Sequence, residues 1–317
     1  MNVALVYVGT VVGAGFASGQ EVYLFFGRHG TAGLVGIATA SLGFWVLGYR
    51  ALTAGRGHAG LGPFLAAAYP SGGAGVLELL MMAFLAAGLL VVAAAGGTLL
   101  SALGACPLPV GSAAILVAAL AIAAYGADGM LKAHAVLVPF LVGTTLLVAL
   151  RAPGRWRAPG IHGWWLSSLL YVSYNLFTGL VVLLAMGARL PTAAERRRAA
   201  GAGAALLGLL ALALDRALLG LPHAPGDLPV MEMAGMQGGA WPALYAVALL
   251  AAIVTTGAAE AFPLRERLGS RRLWWLLLIW PATLLGFQGL VAALYPVLGA
   301  LAVLFWWPLL LRAKQAR

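Results

Sequence analysis

Charge is what this chain has least of: Asp, Glu, Lys and Arg make up 9% of its 317 residues, where soluble globular domains carry about a quarter. That deficit excludes a cytosolic enzyme, a disordered chain and a nucleic-acid-binding module together. Cysteine is nearly absent as well. The single Cys106 excludes an intrachain disulfide and a cysteine-rich metal site. The few carboxylates form no Asp-x-x-Asp pair and the histidines no His-x-x-x-His pair, so metal-assisted or prenyl-transfer chemistry in the membrane has no residues to carry it. No catalytic constellation is expected. No basic region precedes the first apolar stretch as a cleaved signal peptide requires, so that stretch is expected to stay.

Apolar residues are what remains. They make up 62% of the chain, and mean hydropathy is +0.97. Residues 79–127 and 273–311 hold no charged side chain at all, and about 20 helical residues suffice to cross a hydrocarbon core of about 30 Å. Each of these runs is therefore long enough to cross twice. Apolar runs between turn and charge clusters give ten spans near 3–26, 33–54, 73–104, 110–127, 129–150, 161–187, 195–221, 241–264, 271–289 and 291–311. The breaks rest on turn-forming residues around Cys106 to Pro109, Ala127 to Gly129 and Gly286 to Gly289. Thr192 with Glu195 three residues on predicts a capping box opening the seventh span. Almost nothing is left for a soluble domain, so the partners expected are a lipid bilayer and a small-molecule solute.

Net charge is +10, and its distribution reads as topology. With the N-terminus inside, the inner loops hold Arg50, Arg56, Lys132, Arg189, Arg196, Arg197, Arg198, Arg265, Arg267, Arg271, Arg272, Arg312, Lys314 and Arg317. The outer loops hold only Arg28, Arg151, Arg155, Arg157 and Arg216. Basic residues are retained on the cytoplasmic side, so both termini are expected there.

Sliding the second half on the first by about 160 residues superposes span six on span one and continues in order to span ten on span five. A five-span unit repeated once must be inverted in its second copy. The repeats are expected at 1–150 and 151–317. The first span of each half carries helix-weakening or polar residues at mid-depth: Gly13, Ala14, Gly15, Phe16 and Ala17 in span one, and Ser173, Tyr174, Asn175, Phe177 and Thr178 in span six. Glycine costs about 1 kcal/mol per residue in a helix, and backbone unwinds at membrane depth only where it is buried in protein or lines a cavity. Close packing of helices through small residues is the other use of such glycines. Glu21 argues for a site, since a carboxylate so deep in a span is expensive in lipid and usually marks an ion or substrate path.

The run from Tyr7 to Glu21, Tyr-Val-Gly-Thr-Val-Val-Gly-Ala-Gly-Phe-Ala-Ser-Gly-Gln-Glu, closely resembles the opening of the YkvI family of bacterial membrane proteins. That family is similar to the amino acid, polyamine and organocation transporter superfamily. The resemblance implies an all-α membrane protein of ten helices in a LeuT-type 5+5 inverted repeat, with helices one and six discontinuous. It implies the inner (plasma) membrane of a bacterium and alternating access with the solute held between them. The amides of Gly15, Phe16 and Ala17 would then face a substrate carboxylate, and the polar groups of Ser173, Asn175 and Thr178 an ammonium.

Thr255 and Thr256 lie nine residues, or about 14 Å, before Arg265 and so near the midplane. The resemblance makes them sodium ligands together with the carbonyls of Gly9 and Val12. Relatives with a second sodium carry Asn after the Gly-x-Gly, where this chain has Phe16, so at most one sodium is expected and no other cofactor. A threonine pair also serves to bond back to its own helix. Lys132 resembles the ammonium that replaces sodium in proton-coupled relatives, although it also fits an interfacial lysine. Glu260, four residues past Thr256, could pair with it. Sodium-coupled symport of an amino acid or related carboxylate is the leading expectation. A non-transporting solute sensor on the same fold, as in germinant receptors, is the alternative, and a channel comes third.

Overall fold

A computed structural model describes residues 3–57, 61–68, 74–125, 128–154 and 162–312. Among them there is no strand, and helix covers each of the ten expected segments. The first segment is in three pieces, α1 (Val3–Val11), α2 (Ala14–Ser18) and α3 (Gln20–Phe25), followed by a 3-10 turn at Gly27–His29. Then come α4 (Ala32–Ala54), α5 (Leu61–Ala68), α6 (Ala74–Ala102), α7 (Leu108–Tyr125) and α8 (Asp128–Arg151). The second half holds α9 (Trp164–Gly187), α10 (Ala193–Leu219), α11 (Pro229–Gln237), α12 (Trp241–Leu268), the short α13 (Ser270–Leu273), a 3-10 stretch Trp274–Leu285 and α14 (Phe287–Arg312). Five helices among the described residues are long and apolar enough to cross a membrane, and six crossings result if the pair Ser270–Leu285 and Phe287–Val303, bent by 110°, counts as one. Leu108–Ala124 and Leu137–Arg151 are apolar but shorter. Many large apolar side chains point outward, among them Trp165, Leu209, Val247 and Leu278, a pattern that lipid tolerates and water does not.

The helices meet through small residues, as they must where lipid competes equally for apolar side chains. A Cβ on Gly55, just past the end of α4, would run into the Leu184 carbonyl of α9, and one on Gly187 of α9 into the Leu52 carbonyl of α4. The two backbones therefore touch at that end. Between α6 and α7, a Cβ on Gly97 would lie 2.7 Å from the Leu108 carbonyl. Tyr7 is buried between α4 and α10, its hydroxyl donating to the Phe44 carbonyl at 2.7 Å and its ring against Gly203. The expected capping box is present: Glu195 N–H donates to Thr192 Oγ1 at 3.1 Å, and Thr192 N–H donates to Glu195 Oε2 at 3.0 Å. It fixes the start of α10. The buried Arg196 then donates to the Leu190 and Pro191 carbonyls at 2.8 and 3.2 Å, tying the turn before α10 to α4 through Thr53 Oγ1.

The two first spans behave differently. Span one is broken as expected. Gly13 is extended (φ −99°, ψ −167°), its amide turning to Val11 at 3.0 Å instead of reaching back to Gly9. A second break at Gly19 (φ +90°) uses the left-handed region that glycine enters without a Cβ penalty. Span six departs from expectation: α9 runs unbroken through Ser173, Tyr174, Asn175, Phe177 and Thr178. Between Tyr171 and Phe177 there is no glycine or proline to weaken the helix, and the polar side chains bond within it. Asn175 Nδ2 donates to the Tyr171 carbonyl at 3.1 Å and Thr178 Oγ1 to the Asn175 carbonyl at 2.8 Å.

Candidate functional site

The break in span one leaves backbone groups in need of partners. Because Gly13 directs its amide to Val11, the Gly9 carbonyl loses the amide that would have capped it. On the other side of the break, Ala17 N–H already donates to the Gly13 carbonyl at 3.0 Å. The unpaired amides of the first turn of α2 are thus those of Ala14, Gly15 and Phe16 rather than Gly15, Phe16 and Ala17, since a helix begins to repay its donors only at the fourth residue past the cap. Residues 14 to 18 are all buried. This is dry, protein-lined backbone, the one setting in which a helix unwinds at membrane depth.

Gly9 and Val12 at this break share a cavity with Thr255 and Thr256 of α12 and with Leu137, Val138, Leu141 and Ala252. Its volume is about 20 Å³, where about 10–15 Å³ holds one water. Gly13 sits against Thr256, with 3.6 Å between the position a Cβ would take and the threonine oxygen. Thr255 Oγ1 donates to the Ala251 and Ala252 carbonyls at 2.8 and 3.2 Å, the bonding back to its own helix that is the other use of such a threonine. The donor set is therefore hydroxyl and carbonyl oxygen, which suits a hard monovalent cation. Among the described residues no cluster of His, Cys, Asp or Glu has metal-binding geometry.

Glu21, on α3, is 4% exposed. The Tyr174 hydroxyl of α9 donates to its Oε2, and its Oε1 lies so close to Gly15 that a Cβ there would overlap it. Around this pair stand Phe25 and Tyr295, whose rings lie 5.6 and 4.7 Å from that of Tyr174, and Tyr171 at 5.7 Å. Glu260 is placed elsewhere, its carboxylate pressed against Gly88 of α6 with Oε2 lacking a hydrogen-bond partner. Lys132 falls within α8, but its side chain lies outside the described residues, as does the expected contact between Lys132 and Glu260. Phe177 packs on Phe84 with ring centroids 4.7 Å apart.

Sequence reasoning missed the cover that α11 lays over this region. Helix α11 brings Pro229 and Val230 onto Gly19, Gln20 Nε2 donates to the Gly226 carbonyl, and the Tyr245 hydroxyl donates to the Ala17 carbonyl. The signal for α11 was present in Pro229 at its first turn with Glu232 behind it. Nothing in the spacing pointed to Tyr295, which comes from the far end of the chain.

No family model matches the chain. The uncharacterized protein YyaD of Bacillus subtilis (strain 168) is 25% identical over 329 residues, covering 95% of this chain and 93% of its own length. The uncharacterized membrane protein YkvI of the same organism is 23% identical over 342 residues, covering 100% of this chain and 96% of its own length. With its apolar helices, this makes the chain a multi-pass membrane protein related weakly but over its full length to YkvI and YyaD, consistent with a YkvI-like family.

Proposed function

We propose that the chain is a secondary active transporter that moves a small solute across the bacterial inner membrane by alternating access, coupled to sodium. The observation that carries this reading is the meeting of the freed Gly9 carbonyl, Val12, Thr255 and Thr256 around one ion-sized cavity at the break in span one. A sodium ion bound there joins α1 to α12, so its arrival and loss tilt the two against each other. In this reading the ten segments form two inverted repeats, residues 1–150 and 151–317, with both termini cytoplasmic. The solute is an amino acid or a related small molecule, held beside α2 and α9 near Gly13, Gly15, Phe16 and Tyr174. No residue has a catalytic role.

Span six, intact where the repeat would match the break in span one, supports a second reading. A sensor on the same fold binds its solute without needing α9 to open. Reconstituted protein assayed for solute flux separates the two: a transporter accumulates solute down an imposed sodium gradient, and a sensor binds it with no flux.

A further inference from the structure

The end of α12 carries more positive charge than the protein itself answers. Arg265 and Arg267 close that helix, and Arg271 and Arg272 follow on α13, across the turn at Gly269. The carboxylates beside them are already engaged: Glu266 Oε1 pairs with Arg265 Nη1 at 3.4 Å, and Glu78 Oε2 of α6 accepts from Arg267 Nη2 at 2.7 Å. Arg271 and Arg272 are both exposed. Among the described residues neither makes an ion pair or a side-chain hydrogen bond. Two adjacent guanidinium groups are thus left with their forked donors free, a pattern that matches the oxygens of a phosphate.

Directly after the arginines the chain enters the 3-10 stretch Trp274–Leu285. At about 2.0 Å per residue it runs about 24 Å, most of the depth of a hydrocarbon core of about 30 Å. One side of it is fixed on α7: Trp280 Nε1 and Thr283 Oγ1 both donate to Ser112 Oγ, at 3.1 and 3.0 Å. The other side is bare. Thr283 is its one buried residue, while Trp275, Leu278 and Leu285 are 68, 80 and 71% exposed. An apolar face that begins at two tryptophans and is headed by two unpaired arginines repeats a lipid's own division into chain and headgroup, since tryptophan settles at the membrane–water boundary. The unanswered charge selects among lipids. A zwitterionic headgroup brings its own ammonium to the arginines, whereas an anionic one brings only phosphate. We infer that Arg271, Arg272, Trp274 and Trp275 form a binding site for an anionic phospholipid, whose acyl chains cover the bare side of the 3-10 stretch. Such a lipid braces a segment that the protein holds by few contacts of its own. The site is independent of solute and coupling ion, and it stands whether the chain transports or senses.

The test uses the full chain purified in detergent, with phosphatidylglycerol or phosphatidylcholine of identical acyl chains added singly. Lipid retention in native mass spectrometry and thermal unfolding are read. The expected result is that phosphatidylglycerol is retained and raises the unfolding midpoint, and that phosphatidylcholine binds at least tenfold more weakly. The affinity for phosphatidylglycerol should fall at least tenfold in the Arg271→Gln, Arg272→Gln double variant. The Arg197→Gln, Arg198→Gln double variant removes as much charge from exposed positions on α10 and should bind phosphatidylglycerol as the wild type does. Should the first double variant fail to fold, Arg271→Gln and Arg272→Gln made singly should each weaken binding at least threefold. Equal binding of the two lipids, affinity unchanged by loss of Arg271 and Arg272, or an equal loss in both double variants overturns the inference. So does the same stabilisation by inorganic phosphate at equal ionic strength, which would make the arginines a site for a soluble anion.

Discussion

The Tyr174 hydroxyl donates to the Glu21 carboxylate, joining α3, the last piece of the broken first span, to the unbroken α9. It is a bond between the two segments that the expected repeat of about 160 residues would superpose, and both partners are buried. Removing the donor leaves a desolvated carboxylate with nothing to accept from. Tyr174→Phe is expected to lower the stability of the purified protein by about 2 kcal/mol, the usual cost of a lost hydrogen bond to a charged group. Thermal unfolding in detergent, against the wild type, checks it. An unchanged midpoint would mean that the bond contributes nothing.

Gly15 lies against Glu21 with the carboxyl carbon 2.8 Å from where a Cβ would stand. Gly15→Ala is expected to displace the carboxylate, cost about 1–3 kcal/mol through overpacking and remove solute-dependent stabilisation. A variant that binds solute as the wild type does would place the binding site elsewhere.

Thr255→Ala with Thr256→Ala removes both hydroxyls from the cavity at Gly9 and Val12 while leaving α12 otherwise intact. Sodium at about 100 times its dissociation constant stabilises a protein by about 2.7 kcal/mol. That shift is expected in the wild type and not in the double variant. Potassium or choline at equal ionic strength serves as the control, and an equal response to all three salts would contradict the sodium site.

Lys132 and Glu260 separate sodium coupling from proton coupling. Under sodium coupling, Lys132→Ala lowers stability or rate but leaves the sodium dependence of uptake unchanged. Under proton coupling an ammonium or carboxylate changes charge during the cycle, and Lys132→Ala or Glu260→Gln abolishes the pH dependence. Initial uptake rates measured across a pH series at fixed sodium distinguish these outcomes.

Much of this arrangement was legible in the sequence because it follows from local chemistry. Thr192 and Glu195 announce a capping box by their spacing alone, and the structure contains it. Gly13 and Gly15 mark a break because glycine weakens helices, and the break falls at Val12 and Gly13. The interruption expected in α9 was inferred from polar residues, and polarity is not a breaker: Asn175 and Thr178 satisfy themselves on their own helix. The surroundings of Glu21 were illegible for another reason. Sequence shows that a carboxylate sits in an apolar segment, but the left-handed turn at Gly19 decides that it doubles back onto Gly15. Tyr295 joins that cluster only through the packing of α14 on α9.

The central claim is tested most directly by solute uptake into proteoliposomes with sodium and pH gradients imposed separately, using a solute that stabilises the purified protein. The account predicts accumulation that follows the sodium gradient, persists when the pH gradient is collapsed and disappears in the Thr255→Ala, Thr256→Ala double variant. Accumulation that follows the pH gradient alone, or binding with no accumulation under either gradient, would contradict it.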